Sequence, residues 1–189
     1  MFEDYSERLF SHFVAGRWRV PNATQAIPVC GPDGRALGQI VPANLQDVLR
    51  AGAALRAADA VARIRAAQVV ETSAESLVAA HAHQTGQRID PQRVTSIAEA
   101  MAGVRESMAP VLLGAPDGPL PSAELGAALG AGLRKGVIWC PPPELAVFAT
   151  HLAEVLQEAD LPPGAFALLH AETDQTQAAF QTAGLKAQR

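Results

Sequence analysis

Apolar and polar positions alternate over the first forty residues of the chain and then take up helical spacing. Phe13-Val14-Ala15-Gly16-Arg17-Trp18 is short, alternating and bounded by turn formers, which predicts an edge hairpin. Ile27 to Ile40 repeats the pattern around Pro32-Asp33-Gly34, where Gly34 supplies the positive φ that a tight turn needs. From Asn44 onward Leu45, Val48, Leu49 and Leu55 fall on one helical face, with Asn44 as N-cap and Asp47 in the first turn. The spacing predicts a second helix from about Ala62 to about Gln84, closed by Gly86. Asp90-Pro91 opens a third, a cap followed by an N1 proline, which stops before Pro110. Gly114 to Pro121 reads as a loop.

Beyond it the period alternates between helix and strand. Ser122 caps a helix reaching about Arg134, and Val137-Ile138-Trp139-Cys140 is a short buried strand. Pro141-Pro142-Pro143 leads into a helix from Glu144 to about Glu158. Leu161-Pro162-Pro163-Gly164 turns the chain, Ala165 to Leu169 forms another strand, and a last helix follows Thr173. Strands alternating with helices of this length predict a parallel, right-handed βαβ unit. The expected fold class is α/β, as one domain over 1–189 with a hairpin region (9–43), a helical region (44–110) and a βαβ-like unit (122–189). The two predicted strands carry few edge-blocking charges. Either helices 122–134 and 144–158 wrap both faces, or a partner covers the strands.

Composition narrows the function classes. With 189 residues, 49% hydrophobic and 18% charged, the chain is globular. A net charge of −4 and the absence of a Lys/Arg cluster argue against nucleic acid. No apolar run approaches the ~18 residues that cross a bilayer, so no membrane is expected. Glu3, Asp4 and Glu7 stand where a signal peptide would be positive, and a cytoplasmic location is expected.

The candidate chemical residues read as structural. Cys140 has only aliphatic, Trp and Pro neighbours in sequence, with no base to form a thiolate, and is expected to be a buried strand cysteine. Cys30 falls in a surface hairpin. His12, His81, His83, His151 and His170 lack ligand spacing for a metal. Gly126, Gly130 and Gly132 do not follow a strand, so they fail the context of a dinucleotide fingerprint and suit close helix packing better. No catalytic, cofactor-binding or metal residue is assigned.

The order of these segments resembles the first part of an aldehyde dehydrogenase, from about Leu9 to about Leu169. Phe13 to Trp18 is similar to the family's F-I-N-G-E-W hairpin, and Cys30-Gly31-Pro32-Asp33-Gly34-Arg35 to its N-P-x-T-G-E turn. Leu37-Gly38-Gln39-Ile40, then Asp47-Val48 with Ala51, match the next strand and helix start. Gln84-Thr85-Gly86-Gln87 corresponds to E-T-G-K. The most specific match is Leu152-Ala153-Glu154-Val155-Leu156-Gln157-Glu158-Ala159-Asp160-Leu161-Pro162-Pro163-Gly164-Ala165-Phe166, against L-A-E-L-L-x-E-A-G-L-P-P-G-V-F. The resemblance implies a reduced Rossmann-like cofactor domain with N-terminal antiparallel hairpins, and NAD(P) as the cofactor if any.

The departures shape the expected function. Where the family has K-P-S-E, whose Lys and Glu hold the adenosine ribose, this chain has Cys140-Pro141-Pro142-Pro143. No P-W-N motif and no oligomerisation arm occur between Gly86 and Cys140, and the family's F-T-G-S turn, E-L-G-G base segment and nucleophilic cysteine would follow Leu169. The resemblance therefore implies no cofactor held with high affinity and no activity of the isolated chain. Three readings stand: an accessory or structural subunit, like the catalytically dead domain copies some family members carry; the cofactor part of a split NAD(P)-dependent aldehyde dehydrogenase; or a decayed gene product. The expected partner is a second copy in a homo-oligomer or a full-length aldehyde dehydrogenase subunit.

Overall fold

The computed structural model describes residues 8–21, 25–103, 110–113, 120–170 and 173–188. The first hairpin pairs β2 (His12–Val14) with β3 (Arg17–Arg19), with Phe13 opposite Trp18. Ala15 and Gly16 both take positive φ, 54° and 73°, the backbone of a two-residue turn whose twist suits the flanking strands. A short β1 (Leu9–Phe10) precedes it. The second hairpin, β4 (Ile27–Cys30) with β5 (Ala36–Ile40), is antiparallel, and β1 adds to β5 in parallel to give a separate three-stranded sheet, β1-β5-β4.

Helix α1 (Leu45–Ala54) starts where expected: Asn44 Oδ1 accepts from the backbone N–H groups of Gln46 and Asp47, and the Asp47 carboxylate accepts in return from the Asn44 N–H. The single helix expected over 62–84 is instead two, α2 (Ala60–Thr72) and α3 (Ala74–Thr85). The Thr72 hydroxyl donates back to the Gln68 and Val69 carbonyls and Ser73 leaves helical geometry at ψ 12°, so local side-chain bonding interrupts the run. Gly86 closes α3 in the left-handed conformation, φ 72°. Helix α4 (Pro91–Ala102) begins on the Asp90 cap and its N1 proline. The predicted loop from Gly114 lies mostly outside the described residues.

Before that loop is a strand absent from the sequence reading, β6 (Val111–Leu113). Helix α5 (Ala123–Gly132) is capped by Ser122, and β7 (Val137–Cys140) follows. A 3-10 turn at Pro143–Leu145 precedes α6 (Ala146–Gln157), because two consecutive prolines hold the chain extended before the helix can begin. Then come β8 (Phe166–Leu168), α7 (Thr173–Thr182) and a second unforeseen strand, β9 (Ala187–Gln188).

These strands make the main sheet, ordered β3-β2-β8-β7-β6-β9. β8, β7, β6 and β9 are mutually parallel, and β2 joins β8 antiparallel through Phe13 and Leu168. The chain steps from β6 to β7 to β8, then returns to the far side of β6, which is a doubly wound order with its switch between β6 and β9. A fixed crossover hand requires the returning helix to lie on the opposite face. The alternating side chains of β7 show this. Val137 and Trp139 join α2 to α6 in one core, while Ile138 and Cys140 join Val48 and Ala51 of α1 and Phe180 of α7 in another. Of the two expected alternatives, helices 122–134 and 144–158 wrapping both faces or a partner covering the strands, the first is corrected: α5 and α6 share one face, and α1 and α7 cover the other.

The seam between α4 and α5 explains the glycines of α5. An added Cβ at Gly126 would lie 2.7 Å from the Ile97 Cα, and at Gly130 2.7 Å from the Met101 Cα. Both glycines are there for backbone contact.

Candidate functional site

In a doubly wound sheet, ligands sit beyond the carboxyl ends of the strands, near the switch point. At this end of β7 stand Cys140 and the three prolines. Cys140 is 5% exposed, packed in the core that contains Ala167, Leu169 and Phe180. Burial alone drives its thiol pKa far above the usual range, the reverse of what a nucleophile requires. Pro143, half-buried, has its carbonyl committed to the Gln84 side chain: Gln84 Nε2 donates to it at 2.7 Å, and Gln84 Oε1 accepts from the Val147 N–H at 2.9 Å. A glutamate at 84 could accept the second bond but not donate the first. The positions that correspond to the resemblance's Lys and Glu thus hold an enclosed thiol and a proline side chain with no hydrogen-bonding group, which do not fit a ribose held through its hydroxyls.

A buried polar cluster lies at the same end of β8. His12 and His170 are each 1% exposed, and Asp47 is 2% exposed. The His170 backbone N–H donates to His12 Nδ1 at 3.1 Å, so Nδ1 is an acceptor and the ring proton belongs on Nε2. That nitrogen faces Asp47 Oδ2 from 3.9 Å, too far for a hydrogen bond. Asp47 is held instead by the Asn44 N–H and by Arg50, 3.6 Å away. On the other side His170 Nε2 approaches the Thr150 hydroxyl at 3.5 Å.

Burial lowers the His12 pKa to about 4; Asp47 opposes this and Arg50 adds to it. Burial, then His12, lowers that of His170 to about 3, against a hydrogen bond with the Ser11 backbone. Both rings stay neutral in the fold while the unfolded chain takes up protons near pH 6.5. The unfolded state then binds more protons, so stability is full above pH 6.5 and falls as pH drops toward 4 and 3. Each histidine contributes up to about 1.4 kcal/mol per pH unit in that window. Urea unfolding midpoints are expected to fall steeply between pH 6.5 and 4. In His12→Asn, whose Oδ1 can replace the Nδ1 acceptor without titrating, the decline should be shallower; an unchanged slope would contradict this account of the cluster.

A third feature is a cavity of about 400 Å³ at the C-terminal end of α3, walled by α3, the end of β4, Leu120 and the 3-10 turn. Cys30 is exposed at its rim, as expected for a hairpin residue. His81 lines it: its Nδ1 donates to the Gln87 carbonyl at 2.9 Å, and its buried Nε2 has no partner among the described residues. An unmet buried acceptor costs about 1–3 kcal/mol. His151 binds Glu154 and Ser76, and no cluster of three metal-ligating side chains occurs among the described residues. Sequence reasoning named all five histidines but could not join His12 to His170, 158 positions apart.

No family model matches the chain, and no curated protein matches it. Solved structures do. HpcC from Thermus thermophilus superposes with a TM-score of 0.76 at 24% identity, covering 93% of this chain and 42% of that one. Aldehyde dehydrogenase C from Pseudomonas syringae, a variant bound to NAD+ and octanal, gives 0.73 at 19% identity over 95% of this chain and 44% of its own. An aldehyde dehydrogenase from Bacillus cereus gives 0.73 at 16% identity, covering 94% and 44%. The chain has the fold seen in part of aldehyde dehydrogenases, as its motif order implied, and spans less than half the length of these structures. No helix among the described residues is long and apolar enough to cross a membrane.

Proposed function

We propose that this chain is a non-catalytic accessory or structural subunit built on the aldehyde dehydrogenase cofactor fold, forming one domain that associates with a second copy or with a complete aldehyde dehydrogenase. The observation that carries this reading is the end of β7. The fold and the Leu152–Phe166 motif are retained, yet Cys140 is enclosed in the core and the Pro143 carbonyl is tied to Gln84. Selection for packing explains such a site; selection for holding a ribose does not. Of the two cysteines, Cys140 is held as the thiol and Cys30 ends β4, in the smaller sheet and away from the carboxyl ends of β6 to β8, so we assign neither a nucleophile's role.

The second reading, the cofactor part of a split NAD(P)-dependent enzyme, rests on the same fold and requires a dinucleotide to bind in spite of Cys140 and Pro143. Purification of the tagged chain from its native host separates the readings from a decayed product. A stoichiometric complex with an aldehyde dehydrogenase, or a homo-oligomer at micromolar concentration by light scattering, is expected. A well-behaved monomer with no such partner would overturn the accessory reading.

A further inference from the structure

The main sheet ends at β3, which has no further strand beside it among the described residues. The two-residue turn at Ala15 and Gly16 fixes which of its backbone groups face outward. Residues flanking such a turn exchange both hydrogen bonds, so Val14 and Arg17 do so and the pairs then alternate. Phe13 and Trp18 are therefore a non-hydrogen-bonded pair, in keeping with Phe13 facing Leu168 of β8 on its other side. The Trp18 N–H and C=O consequently point away from the sheet, and nothing among the described residues bonds to them.

The side chains along this edge alternate in kind. Arg17 and Arg19 are exposed on one face, and neither has an ion pair among the described residues. Trp18 lies on the other face, half-buried against Phe13 with ring centroids 5.1 Å apart. Val20, two residues on, is 71% exposed. A second copy does not suit such an edge. Two β3 strands paired about Trp18 would set Arg17 and Arg19 directly opposite each other, which like charges oppose. None of the strands among the described residues carries an Asp or a Glu, so no other strand of a second copy supplies the missing charge.

We propose that β3 is the docking edge for an extended acidic segment of a different protein, which pairs with the Trp18 backbone and sets acids opposite Arg17 and Arg19. The proposal rests on the reading of this chain as an associating subunit, and adds the surface and the chemistry of the partner. Each property of the segment follows from one property of the edge. The outward N–H and C=O of Trp18 require a strand, since only an extended backbone meets both. Two free cations two residues apart require acids at the same spacing. The side between them requires an apolar residue, beside Trp18 and Val20. Cations on an edge turn away strands of like charge and admit those of opposite charge.

The test uses the full 189-residue chain and the peptide acetyl-Thr-Val-Glu-Val-Glu-Val-Thr-amide. It is compared with the same peptide carrying Lys for both Glu, and with a rearranged one, acetyl-Thr-Glu-Glu-Val-Val-Val-Thr-amide. Calorimetry follows binding, and hydrogen exchange at the Trp18 amide follows strand pairing. The alternating acidic peptide is expected to saturate with a Kd below about 1 mM and to slow Trp18 exchange about fivefold or more. The Lys and rearranged peptides should each bind about tenfold more weakly. Combining Arg17→Glu with Arg19→Glu, both at exposed positions, should invert the preference between the Glu and Lys peptides. Equal binding of the alternating and rearranged peptides would reduce the contact to bulk charge and overturn the proposal. An unchanged preference in the double variant, an unprotected Trp18 amide, or no saturable binding would also overturn it. If the peptide fails while the chain still purifies with an aldehyde dehydrogenase, the subunit reading stands and this edge is not its contact.

Discussion

Gly164→Ala is expected to destabilise the chain by more than about 4 kcal/mol, lowering the melting temperature by about 10 °C or more. Gly164 ends the Leu161-Pro162-Pro163-Gly164 turn, where the backbone must reverse between α6 and β8. Its φ is +98°, a region closed to most L-residues. The carbonyl of Gly164 accepts from the Arg56 N–H at 3.1 Å, which draws the turn against the end of α1. A Cβ there would overlap the Ala54 carbonyl oxygen. Neither side can yield easily, because both atoms in conflict are fixed by backbone: the turn fixes the entry of β8 and Ala54 closes α1. Thermal unfolding followed by circular dichroism is the check. A variant within about 1 kcal/mol of the parent, on the order of 3 °C, would show that the turn has room this geometry denies.

The second large effect is expected at the α4–α5 seam. Gly126→Ala and Gly130→Ala should each cost about 2–3 kcal/mol, because α5 would have to move outward before a methyl group could enter. The glycines are four residues apart on one helix face and meet Ile97 and Met101, themselves four apart on α4. One outward shift of α5 relieves both overlaps, so the double variant should lose clearly less than the sum of the singles. Denaturant unfolding of the three variants measures this. Full additivity would mean that each site adjusts alone, against the picture of two helices in backbone contact.

Much of this fold is legible in the sequence wherever a local signal decides the outcome. Asn44, Asp90 and Ser122 each cap the helix they precede through a side-chain bond, and Gly86 takes the left-handed conformation that ends α3. The buried run Val137–Cys140 is β7 to the residue. What escaped was set by tertiary context. β6 is three apolar residues after a proline, too short to show a period, and β9 is two residues with no pattern. Their identity as strands comes from pairing with β7 and with each other. Without them the sequence does not show the switch point, so nothing in it places α1 and α7 on the face opposite α5 and α6.

The site divides in the same way. That Cys140 is a buried strand cysteine followed from its neighbours in sequence, and its place at the end of β7 with 5% exposure agrees. That Gly126 and Gly130 serve packing followed from their failing the dinucleotide context, and the α4 backbone agrees. The His12–Asp47–His170 cluster and the His81 cavity were out of reach, because each is assembled from segments far apart in sequence and no spacing rule connects them.

The departure of Cys140 and Pro143 from the family pattern is the centre of the functional account, and one measurement bears on it directly. The purified chain is titrated with NAD and, separately, NADP by calorimetry, starting at tens of micromolar protein. The enclosed thiol and a proline side chain with no hydrogen-bonding group predict no saturable binding below about 100 μM for either dinucleotide, since neither side chain can pair with a ribose hydroxyl. A low-micromolar dissociation constant would contradict the account. It would show that the strand ends hold a dinucleotide by other contacts, and would favour the split enzyme over the accessory subunit.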